Sequence, residues 1–465
     1  MSIKTNPSIF REYDIRGLAD KDFSTDLAES LGLAYAEYIR SKKRSSDAIR
    51  VSVGRDCRLT SDKYADALIS GLTRGGLDVV RIGICPTPLT YFSLFHLGVD
   101  GAIMVTGSHN PAEYNGFKIC VGKDTLHGSQ IQELRALIEK GSKPTGRKGS
   151  VSEYDIIPPY VDYIVKNAPK MKSKKIVIDA GNATAATVAP QIFEKLGAKV
   201  IPLFCELDGR FPNHHPDPTV PENLTALVDA IRKEKADFGV AFDGDSDRVG
   251  VVDEKGRIMF GDELMVVLSR DLLKDRPGAT IISEVKSSNR LYDQIALHGG
   301  KPIMWKTGHS LIKAKMKESG ALLAGEMSGH IFFADRYFGY DDGIYAAVRV
   351  YEIASKCEGP VSSLLVGLPP AVATPEIRVD CDEEKKFELV EETKKLLAAK
   401  YKINDIDGVR VEFGDCWGLV RASNTQAVLV LRFEAPSQAR LDEIRGIVEG
   451  ALSSAAKKTH HVPLF

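Results

Sequence analysis

Short apolar, β-branched runs that each stop abruptly at a polar loop, with amphipathic segments between them, are what most constrain this chain. They come in pairs. IRVSVGRD (49–56) is followed about 50 residues later by GAIMVTGSHN (101–110). KIVIDAGNAT (175–184) is followed about 60 residues on by FGVAFDGDSDR (238–248), and ATIISEVKSS (279–288) about 40 residues on by ALLAGEMSGH (321–330). Runs of this kind read as buried strands, and the helical patterns between them give an α/β class. The pairs share a plan rather than close identity, which predicts three related α/β units. Each unit brings a polar loop to a strand end, where sites form in open α/β sheets. The tail departs from the plan. It reads as an amphipathic helix over 383–400, then WGLVR and AVLVLRFEA around an SNT loop, then a last helix.

A chain of 465 residues exceeds one ordinary core. GSKPTGRKGS (141–150) reads as a linker, DEKGRI (253–258) as a turn and VGLPPAVATPE (366–376) as a Pro-rich crossing. These breaks predict domains over 1–150, 151–254, 255–367 and 368–465. The basic and acidic residues, 62 against 63, leave a net charge of −1, which argues against a nucleic-acid coat or an anionic-membrane binder. Seven scattered cysteines with no C-x-x-C pair suit reduced thiols. No apolar signal core opens the chain and no apolar run approaches the roughly 18 residues of a membrane span. A cytoplasmic protein is expected, and a monomer, since no association helix stands out.

FDGDSDR carries the most chemistry. Asp243, Asp245 and Asp247 alternate after an apolar run, and period-2 geometry would aim the three carboxylates one way. Like charges that close repel unless a divalent cation sits among them. Oxygen-only ligands select a hard ion, Mg²⁺ first. The bland alternative is a solvated acidic turn. An EF-hand fails because Arg248 stands where glycine is needed. A haloacid-dehalogenase-type phosphatase, with a nucleophilic Asp in a D-x-D-x-T/V loop, is the runner-up, with Asp247 at the Thr/Val place.

TGSHNP (106–111) presents Ser108 on a Gly-supported turn; the plain alternative is local Ser and Asn capping. It is not a G-x-S-x-G elbow. Adjacent strand-end side chains diverge, which argues against a Ser108–His109 pair. A serine carrying a phosphoryl group beside Mg²⁺ accounts for the acidic loop as well. GEMSGH (325–330) places Glu326, Ser328 and His330 at alternate positions, suited to sugar hydroxyls. KTGHS (306–310) and EVKSSNR (284–290) add His309 and Lys286. RASNTQ (421–426) gathers Arg421, Ser423, Asn424 and Thr425, a set that can hold phosphate without a P-loop. His214-His215 in FPNHHPDP reads as a Pro-rigidified structural loop, not a zinc site. His460-His461 reads as a solvated tail, and RSKKRSSDAIR (40–50) as a solvated helix end.

Taken in order, REYDIRG (11–17), TGSHNP, FDGDSDR, GEMSGH and RASNT resemble the α-D-phosphohexomutase family, most closely its bacterial phosphomannomutase/phosphoglucomutase branch, over nearly the whole chain. The resemblance implies four domains around a central cleft, three mixed α/β units and a C-terminal TATA-binding-protein-like α+β domain. It implies reversible exchange of hexose 1-phosphate and hexose 6-phosphate, for glucose and mannose, through phosphoserine at Ser108 and a hexose 1,6-bisphosphate. Asp243, Asp245 and Asp247 would hold Mg²⁺ together with a phosphoserine oxygen, and Arg248 would steady the phosphoryl group. Arg16 and Tyr13 would lie near phosphoserine and substrate, with His109 and Lys118 as acid/base candidates. Glu326 and Ser328 would bind the sugar's 3- and 4-hydroxyls, with Lys286, His309 and His330 nearby. Arg421, Ser423, Asn424 and Thr425 would hold the other phosphate. Gln426-Ala427 departs from relatives that carry a proline or an acidic residue after SNT. Two rival classes separate by outcome: a phosphatase releases inorganic phosphate, and a Ca²⁺- or sugar-phosphate-binding module shows no turnover.

Overall fold

The computed structural model describes residues 3–43, 48–424 and 426–459. Thr425, the middle of the basic run at 40–50 and the His460-His461 tail lie outside the described residues.

In each predicted pair the two strands are hydrogen-bonded neighbours, and parallel. Arg50–Arg55 pairs with Gly101–Val105, Lys175–Asp179 with Phe238–Phe242, and Thr280–Glu284 with Leu323–Gly325. The second strand of each pair then returns as a hairpin. Gly101–Val105 runs antiparallel to Tyr114–Val121, Phe238–Phe242 to Val249–Asp253, and Leu323–Gly325 to Ile331–Phe333. TGSHNP, DGDSDR and EMSGH are therefore the turns of three equivalent hairpins on mixed sheets. This refines the expectation taken from strand–helix crossovers.

A fourth sheet is antiparallel along Lys402–Asn404, Val409–Glu412, Trp417–Ala422 and Val428–Ala435, and RASNTQ is again a hairpin turn. The helices Lys386–Ala398 and Gln438–Lys458 pack on it over a core of its own, from Leu389 to Leu452. The sequence pattern announces two of its strands. Val372–Ala373 and Ile377–Asp380 also join it, so the Pro-rich crossing already carries the sheet's edge. Strand pairing carries the first sheet on to Val151–Glu153 and the second to Ile258–Met259, so DEKGRI is a hairpin turn inside the second unit.

One continuous apolar cluster runs through the first three units, from Phe92 through Tyr160 and Phe238 to Tyr345. A small apolar cluster of Val285, Trp417 and Leu419, with Met304 and Ile406 against it, joins the fourth unit to the third. Polar bonds reinforce it: Arg410 donates to Ser287 O at 2.9 Å, and Ser288 Oγ to Glu434 Oε1 at 2.7 Å. All seven cysteines are unpaired. Among the described residues no helix is long and apolar enough to cross a membrane.

Asp342 ties the second unit to the third. It caps the helix Gly343–Lys356 by accepting from Tyr345 N at 2.8 Å. It also accepts from Tyr160 at 2.9 Å and Tyr337 at 2.6 Å. Burial pushes its carboxyl up to about 7, against the pull of Tyr337 and the Tyr345 N–H. A carboxyl raised in the folded state contributes stability that is complete below its unfolded value and is lost as pH rises through the folded one. From pH 5 to 7 wild type should therefore lose thermal stability relative to Asp342→Asn, by about 1.4 kcal/mol per unit crossed, and level off above 7. A difference that stays flat over that range would refute the assignment.

Candidate active site

Ser108 stands on the first hairpin turn with φ 49°, 1% exposed. Its Oγ donates to Asp243 Oδ2 at 3.0 Å and lies 3.3 Å from His109 Nδ1. The second contact corrects the expectation that side chains 108 and 109 diverge. They would on an extended strand, but the left-handed backbone at Ser108 swings the next side chain back. His109 is half-buried, and desolvation together with Arg248 and Arg16 holds its imidazole well below the usual range, so it is neutral. Arg16, on the strand Ile15–Leu18, pairs with Asp14 and donates to Asn110 Oδ1 at 3.0 Å.

The three aspartates converge as expected, for a different reason. The strand ends at Phe242, and Ser246 takes φ 63°, so the loop curls. On a pleated strand alternate residues would stand ~6.6 Å apart. Here ligand oxygens of Asp243, Asp245 and Asp247 lie within 4.8 Å of one another, all three residues fully buried. Burial and the two other carboxylates push Asp243 well up. Burial also opposes the charge of Asp247, but Lys118 and His330 outweigh it and hold this carboxyl well down.

Lys118 Nζ donates to Asp245 Oδ2 at 2.6 Å and also to Asp247 Oδ2. Burial disfavours its charge, yet Asp245 and Asp247 raise it further above its ordinary value, so the ammonium is permanent. Thr87 Oγ1 supplies Asp245 Oδ2 from the first unit at 2.6 Å. Asp245 Oδ1 is buried and meets no donor among the described residues. Three carboxylates with a hard oxygen left free make an oxygen-only donor set that fits a divalent cation, with Lys118, His330 and Arg248 as the counter-charges around it.

Glu326, Ser328 and His330 come together through the third hairpin. Glu326 Oε1 accepts from Gly308 N at 2.6 Å, and its Oε2 lies 2.9 Å from His330 Nδ1, which Ser328 Oγ approaches at 3.0 Å. His330 Nε2 reaches Asp247 Oδ1 at 3.3 Å, joining the sugar-loop candidates to the acidic loop. Burial works against charge on His330, but Asp247 and Glu326 outweigh it and push the imidazole up to about 9. His309, buried beside Lys313, is held well below the usual range, and its ring stacks on His330 with centroids 5.5 Å apart. Arg248 Nε lies 3.3 Å from His330 Nε2 and 3.9 Å from Asp243 Oδ2.

Tyr13 links three units: its hydroxyl donates to Thr307 O at 2.6 Å and accepts from Asn424 Nδ2 at 2.7 Å. Arg421 pairs with Asp407 at 3.1 Å, and Lys286 with Glu376 at 3.1 Å. Ser423 Oγ accepts from Gln426 N at 3.1 Å. In the His214-His215 loop, His214 Nε2 meets Asp179 Oδ2 at 3.0 Å.

Sequence reasoning missed several buried polar residues. Asp56 and Arg58 lie under the serine loop, and Glu284 accepts from Thr307 Oγ1 at 3.1 Å and Met327 N at 3.2 Å. Asp341 receives Lys313 Nζ at 2.8 Å. Asp56 and Glu284 close predicted strands, so a polar residue at a strand end was the available signal.

Four consecutive family models match: phosphoglucomutase/phosphomannomutase alpha/beta/alpha domains I, II and III over residues 7–145, 158–256 and 260–372, and the C-terminal domain over 376–451. The chain is 46% identical to the phosphomannomutase/phosphoglucomutase of Pseudomonas aeruginosa over 96% of each chain. It is 44% identical to the phosphoglucomutase of Neisseria gonorrhoeae, over 96% of this chain and 97% of that one. A crystal structure of a phosphoglucomutase/phosphomannomutase family protein from Burkholderia thailandensis superposes with a TM-score of 0.92 at 41% identity, covering 99% of this chain and 100% of the other. These matches overturn the dehalogenase-type phosphatase as a reading of the acidic loop. From end to end, the chain belongs to the phosphoglucomutase/phosphomannomutase family.

Proposed function

We propose that the protein interconverts hexose 1-phosphate and hexose 6-phosphate, for both glucose and mannose, through phosphoserine at Ser108 and a hexose 1,6-bisphosphate. One observation carries the mechanism: a buried serine hydroxyl, 3.0 Å from a carboxylate of an acidic triad delivered by another unit. The names of the relatives at 44–46% identity support the reaction.

In the forward half, a free sugar hydroxyl attacks the phosphoryl group on Ser108. The new sugar O–P bond forms as the Ser108 Oγ–P bond breaks. The hydroxyl proton passes to a base, and Ser108 Oγ regains a proton. In the second half the bisphosphate presents its other phosphoryl group, which returns to Ser108. Mg²⁺ held by Asp243, Asp245, Asp247 and a phosphoserine oxygen would supply charge neutralisation at the transferring group. Arg248 and Arg16 steady its equatorial oxygens. Of the two acid/base candidates, His109 is neutral and next to Oγ and so can accept a proton, whereas Lys118 is a fixed ammonium. Lys118 therefore serves as a positioning cation in this reading.

Glu326 and Ser328 bind the sugar hydroxyls, with Lys286, His309 and His330 around them. Arg421, Ser423 and Asn424, with Thr425 outside the described residues, hold the phosphate that is not transferred, and Tyr13 joins the two ends. Each unit of the proposed division (1–150, 151–254, 255–367 and 368–465) contributes one loop. Every loop belongs to one chain, so the monomer is the proposed active unit. A coupled assay with glucose 1-phosphate and mannose 1-phosphate, Mg²⁺ and catalytic 1,6-bisphosphate tests the reading. Turnover of both is expected, and no turnover of either would sink it.

A further inference from the structure

We infer that Arg58 is a positioning residue for the phosphoryl-carrying serine: its guanidinium gathers the main-chain carbonyls of the serine loop and so fixes where Ser108 Oγ points. The inference rests on the reading of Ser108 as the carrier. Arg58 follows the strand Arg50–Arg55, and its side chain has no solvent exposure. Nη2 donates to Ser108 O at 2.7 Å and Asn110 O at 2.5 Å; Nη1 donates to Tyr114 O at 3.1 Å and to Pro111 O. Nε donates to Asp56 Oδ2 at 3.0 Å. The same carboxylate oxygen accepts from Thr106 Oγ1 at 2.8 Å and Gly107 N at 3.2 Å, so the Asp56–Arg58 pair grips the loop from both kinds of main-chain group.

Four carbonyl oxygens aimed at one dry spot repel one another unless a cation with several directed donors sits there. A planar fork of five N–H groups meets that need, and a lysine ammonium does not. Two glycines record how closely the parts fit. A Cβ at Gly107 would lie 2.6 Å from Arg58 Cζ, and one at Gly244, in the acidic loop, 2.4 Å from Ser108 O. The Ser108 carbonyl is thus held between the guanidinium and the acidic loop. The second unit closes the other side, with the Phe211 ring centroid 5.1 Å from Arg58 Cζ. A non-glycine residue at φ 49° sits in an unfavourable region, and such a backbone persists only where its surroundings over-determine it. Among the described residues the Arg58 guanidinium bonds to main-chain oxygens and to Asp56, and it acts through Ser108.

The experiment measures kcat and KM for both sugar 1-phosphates in Arg58→Lys, in Gly107→Ala and in Ser108→Ala, with a thermal melt of each. Gly107 lies outside the left-handed region, so its backbone accepts alanine, whose Cβ would press on the Arg58 guanidinium and on the Tyr114 carbonyl that Arg58 holds. A misplacement of about 1 Å can cost on the order of 100-fold in rate. Folded Arg58→Lys should lose about that factor in kcat equally for both sugars, with KM within about threefold of wild type, and Gly107→Ala should share that signature. If Arg58→Lys does not fold, Gly107→Ala decides alone. A folded Arg58→Lys, or failing that Gly107→Ala, with kcat within about threefold of wild type, or with its loss carried by KM, overturns the inference. An active Ser108→Ala would instead overturn the reading of Ser108 on which it rests.

Discussion

Ser108→Ala is expected to lower kcat for hexose phosphate interconversion by on the order of 10⁴-fold or more, the scale seen when a covalent nucleophile is removed. The expectation follows from where the hydroxyl sits. It is 1% exposed and meets a carboxylate at 3.0 Å and a neutral imidazole at 3.3 Å. Alanine keeps the Cβ and meets φ 49° at a cost close to that of serine, so the melting temperature should move by only a few degrees. Intact mass adds an independent reading. Freshly purified wild type should carry one phosphate that maps to Ser108, and the variant none. A variant that still interconverts the esters at the wild-type rate would refute the carrier role, and wild type without covalent phosphate after incubation with the 1,6-bisphosphate would do the same.

The three strand pairs were legible because burial on both faces writes itself as an apolar run, and the polar loops at their ends stood out against it. The hairpin return of each second strand was not legible. Val249–Asp253 is as apolar as a parallel strand would be, Tyr114–Val121 is interrupted by Asn115 and Lys118, and the pairing alone shows both to be hairpin returns. Lys118 shows what this conceals. It stands opposite Met104 in the antiparallel register, a position that carries its ammonium across to Asp245 and Asp247 in another unit. From sequence it was an acid/base candidate; in the fold it is a charge locked between two carboxylates. Likewise the Ser108–His109 contact depends on a positive φ that serine does not announce.

Arg58 and Asp56 were out of reach for a different reason. Their partners are main-chain carbonyls and amides some 50 residues away, and every residue type carries those groups. The basic residues of the fourth hairpin and the sugar loop were legible as types, but their partners Asp407 and Glu376 were not. Asp407 also accepts from Thr307 N at 3.0 Å, so it joins a loop of the third unit to the fourth. Lys286 draws Glu376 down to about 2.

Asp245→Asn should raise the Mg²⁺ concentration needed for half-maximal activity by at least about 100-fold, because affinity at an oxygen site follows the number of charged ligands. Among the three aspartates this one isolates the cation's contribution. Asp243 touches Ser108 Oγ and Asp247 touches His330, so changing either would disturb a second element as well. The introduced asparagine would keep the volume and an oxygen for Thr87 Oγ1, now 2.6 Å from Asp245 Oδ2. It would remove the negative charge and leave Lys118 with Asp247 as its one carboxylate partner. The fold should hold, since the Thr87 N bond goes to the Asp245 main-chain oxygen at 2.8 Å. Calorimetric titration of wild type and variant with Mg²⁺ measures the loss directly, apart from turnover. A chelator should silence wild type, and restored Mg²⁺ should return its activity. Wild type that turns over at full rate in the chelator, or a variant that binds Mg²⁺ as wild type does, would remove the cation from the triad and leave Lys118, His330 and Arg248 as the counter-charges there. In that event the raised carboxyl of Asp243 would be the true state of the site: burial and two neighbouring carboxylates already push it toward the protonated form. A bound divalent cation reverses that balance, so the proton released by Asp243 on adding Mg²⁺ should appear as buffer-dependent heat in the wild-type titration.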